Sequence, residues 1–267
     1  MAAILLGLIL FVPPLNTMLY GGIQTIRDQF DTRPERRILF IGNSRTFYND
    51  MPEMVRQMAG EAGGAERLHI QMYAKSGVSL ETHWADPQVQ ALLGQGWDDV
   101  VLQAQSTAQF SPQYSGRLWQ IAAQFIDKAR SVGAEPAMFV TWRYTDLCPP
   151  GFGMPQSAQI LDASGFPGMH GNIQLQHARL AAATGVDLVN VGALWEDLQD
   201  KAAVFHLYAD CNHPSVFGSY LSALMFFHHF TGGDVIEVNY RPSGMPEAQA
   251  WYIRRLVGTY LDEPAGS

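Results

Sequence analysis

The chain has 267 residues, 47% hydrophobic, 11% aromatic and 16% charged, a balance that excludes a disordered chain and suits one large hydrophobic core. Seventeen Lys and Arg stand against 25 Asp and Glu, a formal charge of −8 with no basic cluster, so the electrostatic footprint of a nucleic-acid binder is missing. Two cysteines, Cys148 and Cys211, are too few for a disulfide scaffold and lack the paired spacing of a structural zinc site.

From Ala2 to Val12 every residue is apolar or glycine, and Pro13-Pro14 ends the run. A helix of that length reaches about 16 Å, roughly half a bilayer core. The length suits the apolar part of a signal peptide, yet no Lys or Arg precedes it and no clear small-x-small cleavage site follows. An uncleaved anchor, a cleaved signal, a signal whose basic start was lost to a misplaced start codon, and a buried N-terminal arm all remain open. The expectation is export: residues 1–20 form a signal or anchor that contacts the membrane through residues 2–20, and the protein works in the periplasm, secreted or anchored. Residues 21–36 read as a polar spacer and residues 37–262 as a single domain, since no Ser/Gly-rich or charge-run linker interrupts them.

Five short apolar runs then recur, at Arg37–Ile41, Leu68–Tyr73, Asp99–Gln103, Pro136–Trp142 and Val186–Val191, rich in β-branched and aromatic residues. Helical periodicity fills the gaps between them. Met51–Ala62 follows Asp50 as an N-cap with Pro52 in the first turn, Gln113–Val132 carries Leu118, Ile121, Ala122, Phe125 and Ala129 at three- and four-residue steps, and Ile173–Thr184 ends at Gly185. Strands alternating with helices predict right-handed crossovers and an α/β fold: a three-layer, flavodoxin-like, doubly wound sheet of about five parallel strands. Such sheets bind ligands at the carboxyl ends of their strands, which directs attention to the loops beginning at Gly42, Ala74, Ala104, Arg143 and Gly192.

The first of these loops, Gly42-Asn43-Ser44-Arg45-Thr46, has the spacing of neither a phosphate loop nor a dinucleotide turn. A serine on a strand-to-helix turn can act as a nucleophile, because the turn exposes its hydroxyl and the following amides can face an oxyanion; the same residue is also a common helix cap. Near the other end of the chain, Asp210-Cys211-Asn212-His213-Pro214-Ser215 precedes the apolar helical stretch Val216–Phe230, with Ser215 as its N-cap. An aspartate three residues before a histidine in one tight loop can hold the imidazole while the other ring nitrogen points at a serine, although an isolated Asp-x-x-His is also an ordinary surface turn.

In this order the two motifs resemble those of the SGNH/GDSL hydrolase superfamily, in the branch with Gly-Asn-Ser in place of Gly-Asp-Ser and a Leu-Gln-x-Gln-Ser strand end, over about Arg37 to Phe230. The resemblance implies that Ser44 is the nucleophile and an oxyanion donor through its backbone N–H, and that Asp210 and His213 complete a triad. It further implies that Lys75-Ser76-Gly77 is the second block, with Gly77 giving another backbone N–H. Leu102-Gln103-Ala104-Gln105-Ser106 occupies the place of Gly-x-Asn-Asp without its asparagine. A glutamine amide can donate the same N–H from one methylene further out, and Gln103 and Gln105, two apart, share a face. The choice between them stays open.

Asn43 and Arg45 beside the serine, and Trp142 and Arg143 at the end of the fourth strand, complete the expected substrate-binding set: an arginine can pair with a carboxylate and an aromatic ring can stack on a sugar. His83 and Trp84 either border the pocket or start a helix. Adjacent residues on a helix point about 100° apart, so His228 and His229 read as packing or surface residues rather than a shared metal site. The expected activity is a serine esterase without metal or organic cofactor, acting on a small-molecule or oligosaccharide ester and removing acetyl or another small acyl group from a carbohydrate. A non-catalytic carbohydrate-binding or assembly protein on the same fold and an acyltransferase are the alternatives. Cys148 and Cys211 both fall on the carboxyl-end rim, where either a disulfide or two thiols is compatible with the sequence.

Overall fold

A computed structural model describes residues 31–106, 112–145, 165–199 and 205–263. The expected signal or anchor at residues 2–20 and Cys148 lie outside them.

Five strands form one parallel sheet in the order β2-β1-β3-β4-β5, with β1 Glu35–Gly42, β2 Arg67–Ala74, β3 Asp99–Leu102, β4 Glu135–Phe139 and β5 Asp187–Val189. In β1, Ile38, Leu39, Phe40 and Ile41 are all fully buried, because a parallel sheet is covered on both faces. The pleat sends them to opposite sides. Ile38 and Phe40 join a core with Met54, Val55 and Met58 of α2 (Met51–Ala62) and Leu224 and Phe226 of α8 (Val216–Thr231). Leu39 and Ile41 join a second core with Leu80 of α3 (Leu80–Trp84), Val89 and Leu93 of α4 (Pro87–Leu93), and Phe125 and Ile126 of α5 (Pro112–Ser131). The layers are completed by α6 (Gly165–Thr184), α7 (Val191–Gln199) and α9 (Glu247–Asp262), while the four-residue α1 (Ser44–Phe47) follows β1 directly.

The chain runs outward from β1 to β2 and then crosses back to β3, so the order reverses between β1 and β3. Their carboxyl ends, Gly42 and Leu102, therefore border the crevice where doubly wound sheets place ligands. At the opposite end Arg36 grips Asp99 with two hydrogen bonds of 2.7 and 2.8 Å and donates to the Phe230 carbonyl, tying β1, β3 and α8 together at their base.

Several expectations are corrected. The folded body reaches back into the expected spacer: β1 begins at Glu35, and Arg33 donates to the Gly64 carbonyl. Strand β4 stops at Phe139, and the buried Thr141–Tyr144 stretch continues it as irregular chain. Helix α6 begins at Gly165, well before Ile173. Asp50 occupies the N-cap position of α2 in a left-handed conformation and makes no side-chain capping bond, so α2 starts without the expected cap. Gly185 at φ 68° and Ser215, which accepts from the N–H groups of Phe217 and Gly218, do terminate their helices as expected.

Candidate active site

The turn after β1 is built by close approach. A Cβ on Gly42 would stand 2.4 Å from the Thr46 hydroxyl and 2.8 Å from Gln103 Oε1, so only glycine lets β1 run into α1 here. Asn43 caps α1, accepting from Arg45 N–H with its side chain and from Thr46 and Phe47 N–H with its carbonyl. As first residue of that helix, Ser44 has an N–H that the helix itself does not use. The turn is held from behind. Gln103 Oε1 accepts from Asn43 N–H at 2.8 Å and from the Thr46 hydroxyl at 3.1 Å, and His83 Nε2 donates to the Gly42 carbonyl at 2.7 Å. Burial pushes the His83 pKa down and keeps that ring neutral.

The Asp210–His213 loop is equally constrained. Tyr208 and Pro214 pair as an isolated antiparallel bridge, and Ala209 N–H donates to the His213 carbonyl, closing a tight ring of chain. Inside it Asp210 Oδ1 accepts the N–H groups of Asn212 and His213, each at 2.7 Å. The loop is fastened to the rim after β4, since Trp142 Nε1 donates to the Asn212 carbonyl and Thr145 N–H to that of Cys211. Gly218 in the first turn of α8 permits the seating, as a Cβ there would lie 2.4 Å from both the Leu207 carbonyl and the Trp195 ring.

These two segments bring three distant side chains into one line. His213 Nε2 lies 3.0 Å from Ser44 Oγ, and His213 Nδ1 lies 2.8 Å from Asp210 Oδ2. Burial pulls the Asp210 pKa up, but the bonds from the His213 backbone and ring and from Asn212 N–H outweigh it and leave the carboxyl lowered. The ionised carboxylate accepts the Nδ1 proton, which leaves the Nε2 lone pair facing the serine hydroxyl.

The other expected residues divide. Gly77 is at φ 68°, a left-handed conformation that favours glycine, while a Cβ there would meet open space; backbone conformation rather than crowding selects it. Gln105 Nε2 donates to the Gly77 carbonyl at 2.9 Å, which places its amide beside the second block. Gln103 is buried behind the turn: its acceptor faces the Asn43 N–H, a pure donor that fixes the amide's orientation, and its nitrogen donates to the Ala104 carbonyl.

All four expected substrate contacts are corrected, because each side chain is engaged inside the protein. Asn43 also donates to the Val78 carbonyl. Arg45, 2% exposed, holds Asn212 Oδ1 with Nε and Nη2 and donates to Thr141 Oγ1 and the Trp142 carbonyl. Trp142, 1% exposed, stacks on Trp195 with ring centroids 3.7 Å apart and has the Arg45 guanidinium over its ring at 5.1 Å, so no face is left for a sugar. Arg143, 4% exposed, is paired through Nε with Glu196. Two further residues hold the site together: Asn212, the acceptor that joins the Ser44 segment to the histidine loop, and Tyr48, which lies flat against His213. Asn212 stands in sequence only as an unmarked position between Asp210 and His213, and nothing in the sequence marks Tyr48. Trp84 packs edge-on against Phe125 in the second core, and His228 donates its Nδ1–H to the Gly233 carbonyl at 3.0 Å.

This fold has solved counterparts. The chain is 27% identical to a protein of Slackia heliotrinireducens described as an SGNH hydrolase, with a TM-score of 0.60, covering 74% of this chain and 100% of that one. A DUF4886 family protein from Bacteroides uniformis superposes with a TM-score of 0.71 at 16% identity, over 85% of this chain and 95% of that one. An acetyl xylan esterase superposes at 0.56 and 12% identity, over 72% and 98%. No family model matches the chain, and no curated protein matches it by sequence. The architecture is that of the SGNH/GDSL hydrolases, and the resemblance drawn from Gly42-Asn43-Ser44 and Asp210–His213 is borne out at the level of the fold and its neighbours.

Proposed function

We propose that this protein is a carboxylic ester hydrolase that works through a Ser44-His213-Asp210 triad. The observation that carries the reading is the continuous hydrogen-bonded line from Ser44 Oγ through both ring nitrogens of His213 to Asp210. Ser44 Oγ attacks the ester carbonyl as its proton passes to His213 Nε2, and Asp210 stabilises the imidazolium that results. The oxyanion is met by the backbone N–H groups of Ser44 and Gly77, with the Gln105 amide beside them. The imidazolium gives its proton to the departing alcohol, an acyl-Ser44 ester remains, and water activated by the same histidine releases the acid.

The substrate in this reading is a small acyl ester, acetyl foremost, on a carbohydrate. The fold shared with an acetyl xylan esterase supports it, whereas Trp142 lends no support from the rim. The apolar run Ala2–Val12 supports an extracytoplasmic site of action. Hydrolysis of p-nitrophenyl acetate, with stoichiometric phosphonate labelling at Ser44, tests the chemistry; acetate release from a panel of acetylated oligosaccharides tests the substrate. A wild-type protein inert to both ester and phosphonate would make it a binding or assembly protein on a hydrolase fold.

A further inference from the structure

Behind the nucleophile the chain takes an unusual path. Asn49 (φ 55°) and Asp50 (φ 54°) are consecutive left-handed residues and, among the described residues, the only non-glycine ones at positive φ. L-residues resist that conformation, so its persistence requires surroundings that enforce it. They are on view: Asn49 Nδ2 donates to the Pro214 carbonyl at 3.2 Å and to Ser219 Oγ at 2.9 Å, and Ser219 Oγ donates in turn to the Tyr48 carbonyl at 3.2 Å. The turn is thereby clamped to the residue next to His213 and to α8.

What the clamp presents is Tyr48. Its ring is stacked on the His213 imidazole with centroids 4.2 Å apart and planes within 5° of parallel, and Phe47 stacks on Tyr48 at 5.8 Å. The bonds to Ser44 and Asp210 lie near the imidazole plane and resist tilting out of that plane only weakly. A flat ring against one face supplies the missing constraint, and its negative π-face is turned toward a ring that becomes cationic during each acyl transfer.

We propose that Tyr48 is a positioning residue for the His213 base, holding the imidazole in the plane shared by Ser44 and Asp210 and stabilising it in its charged form. The inference rests on the triad reading above. The titratable and charged groups around the imidazole are Asp210 from its own loop and, from the nucleophile segment, Tyr48 itself, Arg45 acting through Asn212, and Asp50 closing the same turn.

The test compares Tyr48→Phe, which keeps the aromatic face, with Tyr48→Leu, which keeps apolar bulk and removes it. Tyr48→Phe should hydrolyse p-nitrophenyl acetate within about two-fold of wild type, and Tyr48→Leu should lose about five-fold in kcat with KM little changed. In the kcat/KM profile the acidic limb of Tyr48→Leu should move down by roughly half a pH unit, because the protonated ring loses its partner, while Tyr48→Phe stays in place. Equal losses in both variants, or an unchanged kcat and acidic limb in Tyr48→Leu, overturn the proposal. The wild type gives a check independent of how the variants fold. The His213 Cε1–H resonance, assigned by its loss in His213→Gln, should lie upfield from the ring current of Tyr48, and an ordinary position overturns the stack. An active wild type with an indifferent Tyr48→Leu sinks this inference alone; a wild type inert to ester and phosphonate sinks it together with the triad.

Discussion

The loops after β1 and before α8 and the segment after β4 sit on the same carboxyl-end rim, and both carry reactive or recognition-type side chains. They are used in opposite ways. Among the described residues Ser44 Oγ is joined to His213 alone, and Asp210 and His213 are partly exposed. Thr141, Trp142 and Arg143 are turned inward and saturated by Arg45, Asn212, Trp195 and Glu196. The same rim thus carries side chains left partly exposed and side chains buried as bracing, and only the first can meet a substrate. Here one side of the rim braces the other: Arg45 leaves the nucleophile segment, crosses beneath to Thr141 and the Trp142 carbonyl, and grips Asn212 between Asp210 and His213.

The largest effects should fall on the reactive side. Ser44→Ala and His213→Ala should each lower kcat by at least about three orders of magnitude, with the melting temperature nearly unchanged because neither residue belongs to a core. Asp210→Asn should lose less. Ser44→Ala retaining more than about a tenth of wild-type turnover, a loss under about 1.4 kcal/mol of transition-state stabilisation, would break the distinction between the two sides. On the bracing side Arg45→Met should cost about 3 kcal/mol of stability, since it removes a buried guanidinium and leaves the Asn212 and Thr141 acceptors and the Trp142 carbonyl unpaired. Urea unfolding measures that loss; a substrate clamp would instead raise KM in a protein of undiminished stability.

The two glutamines repeat the contrast within three residues, Gln103 buried behind the turn and Gln105 partly exposed. Gln105→Ala should lower kcat by about two orders of magnitude with a smaller effect on KM, as removal of an oxyanion donor does. Gln103→Ala should cost about 1–3 kcal/mol of stability by stranding the Asn43 N–H, and should lower activity only as far as the Ser44 turn loosens. Two small and equal kinetic effects would leave the oxyanion to the Ser44 and Gly77 backbone alone.

Much of this was legible in the sequence, and the boundary has a physical basis. Strand β1 could be read because Ile38–Ile41 is apolar on both faces, and the Ser44–His213–Asp210 line because its residues fall at a strand end and ahead of a helix in a familiar order. Helices α7 and α9 are not marked in the sequence in the same way: α7 is nine residues long, and the buried face of α9 mixes Ala250, Ile253 and Val257 with Arg254 and Gly258, so packing onto the first core sets their place. Arg45, Trp142 and Arg143 were misassigned for a related reason. Position along the chain locates a residue on the rim, but which way its side chain turns depends on partners such as Asn212, Trp195 and Glu196 contributed from 53 or more residues away. Tyr48 was invisible because the stack depends on a left-handed pair that Asn49-Asp50 adopts under the tertiary clamp.

The last contrast is between two histidines. His213 sits at the rim, whereas His177 on α6 is 1% exposed, donates Nδ1–H to the Ile173 carbonyl at 2.8 Å and packs edge-to-face with Trp119. Its Nε2 has no partner among the described residues, so protonation there would place an uncompensated charge in the core, and burial lowers its pKa from 6.5 to about 4. The sign follows from the two states. Between pH 6.5 and 4 the unfolded chain holds a proton that the folded chain does not, so stability is complete above 6.5, declines as the pH falls through that window, and levels off below about 4. From pH 7 to pH 5 the loss due to this residue is about 2 kcal/mol. His83 and His229 are lowered by burial as well and add to the total slope, so the measurement is a difference. Urea unfolding of wild type and His177→Leu at both pH values should show the variant losing about 2 kcal/mol less, while its p-nitrophenyl acetate profile matches that of the wild type. Equal pH slopes in the two proteins would mean that His177 is reached by water and that the interior beneath α6 is less closed than its packing against Trp119 indicates.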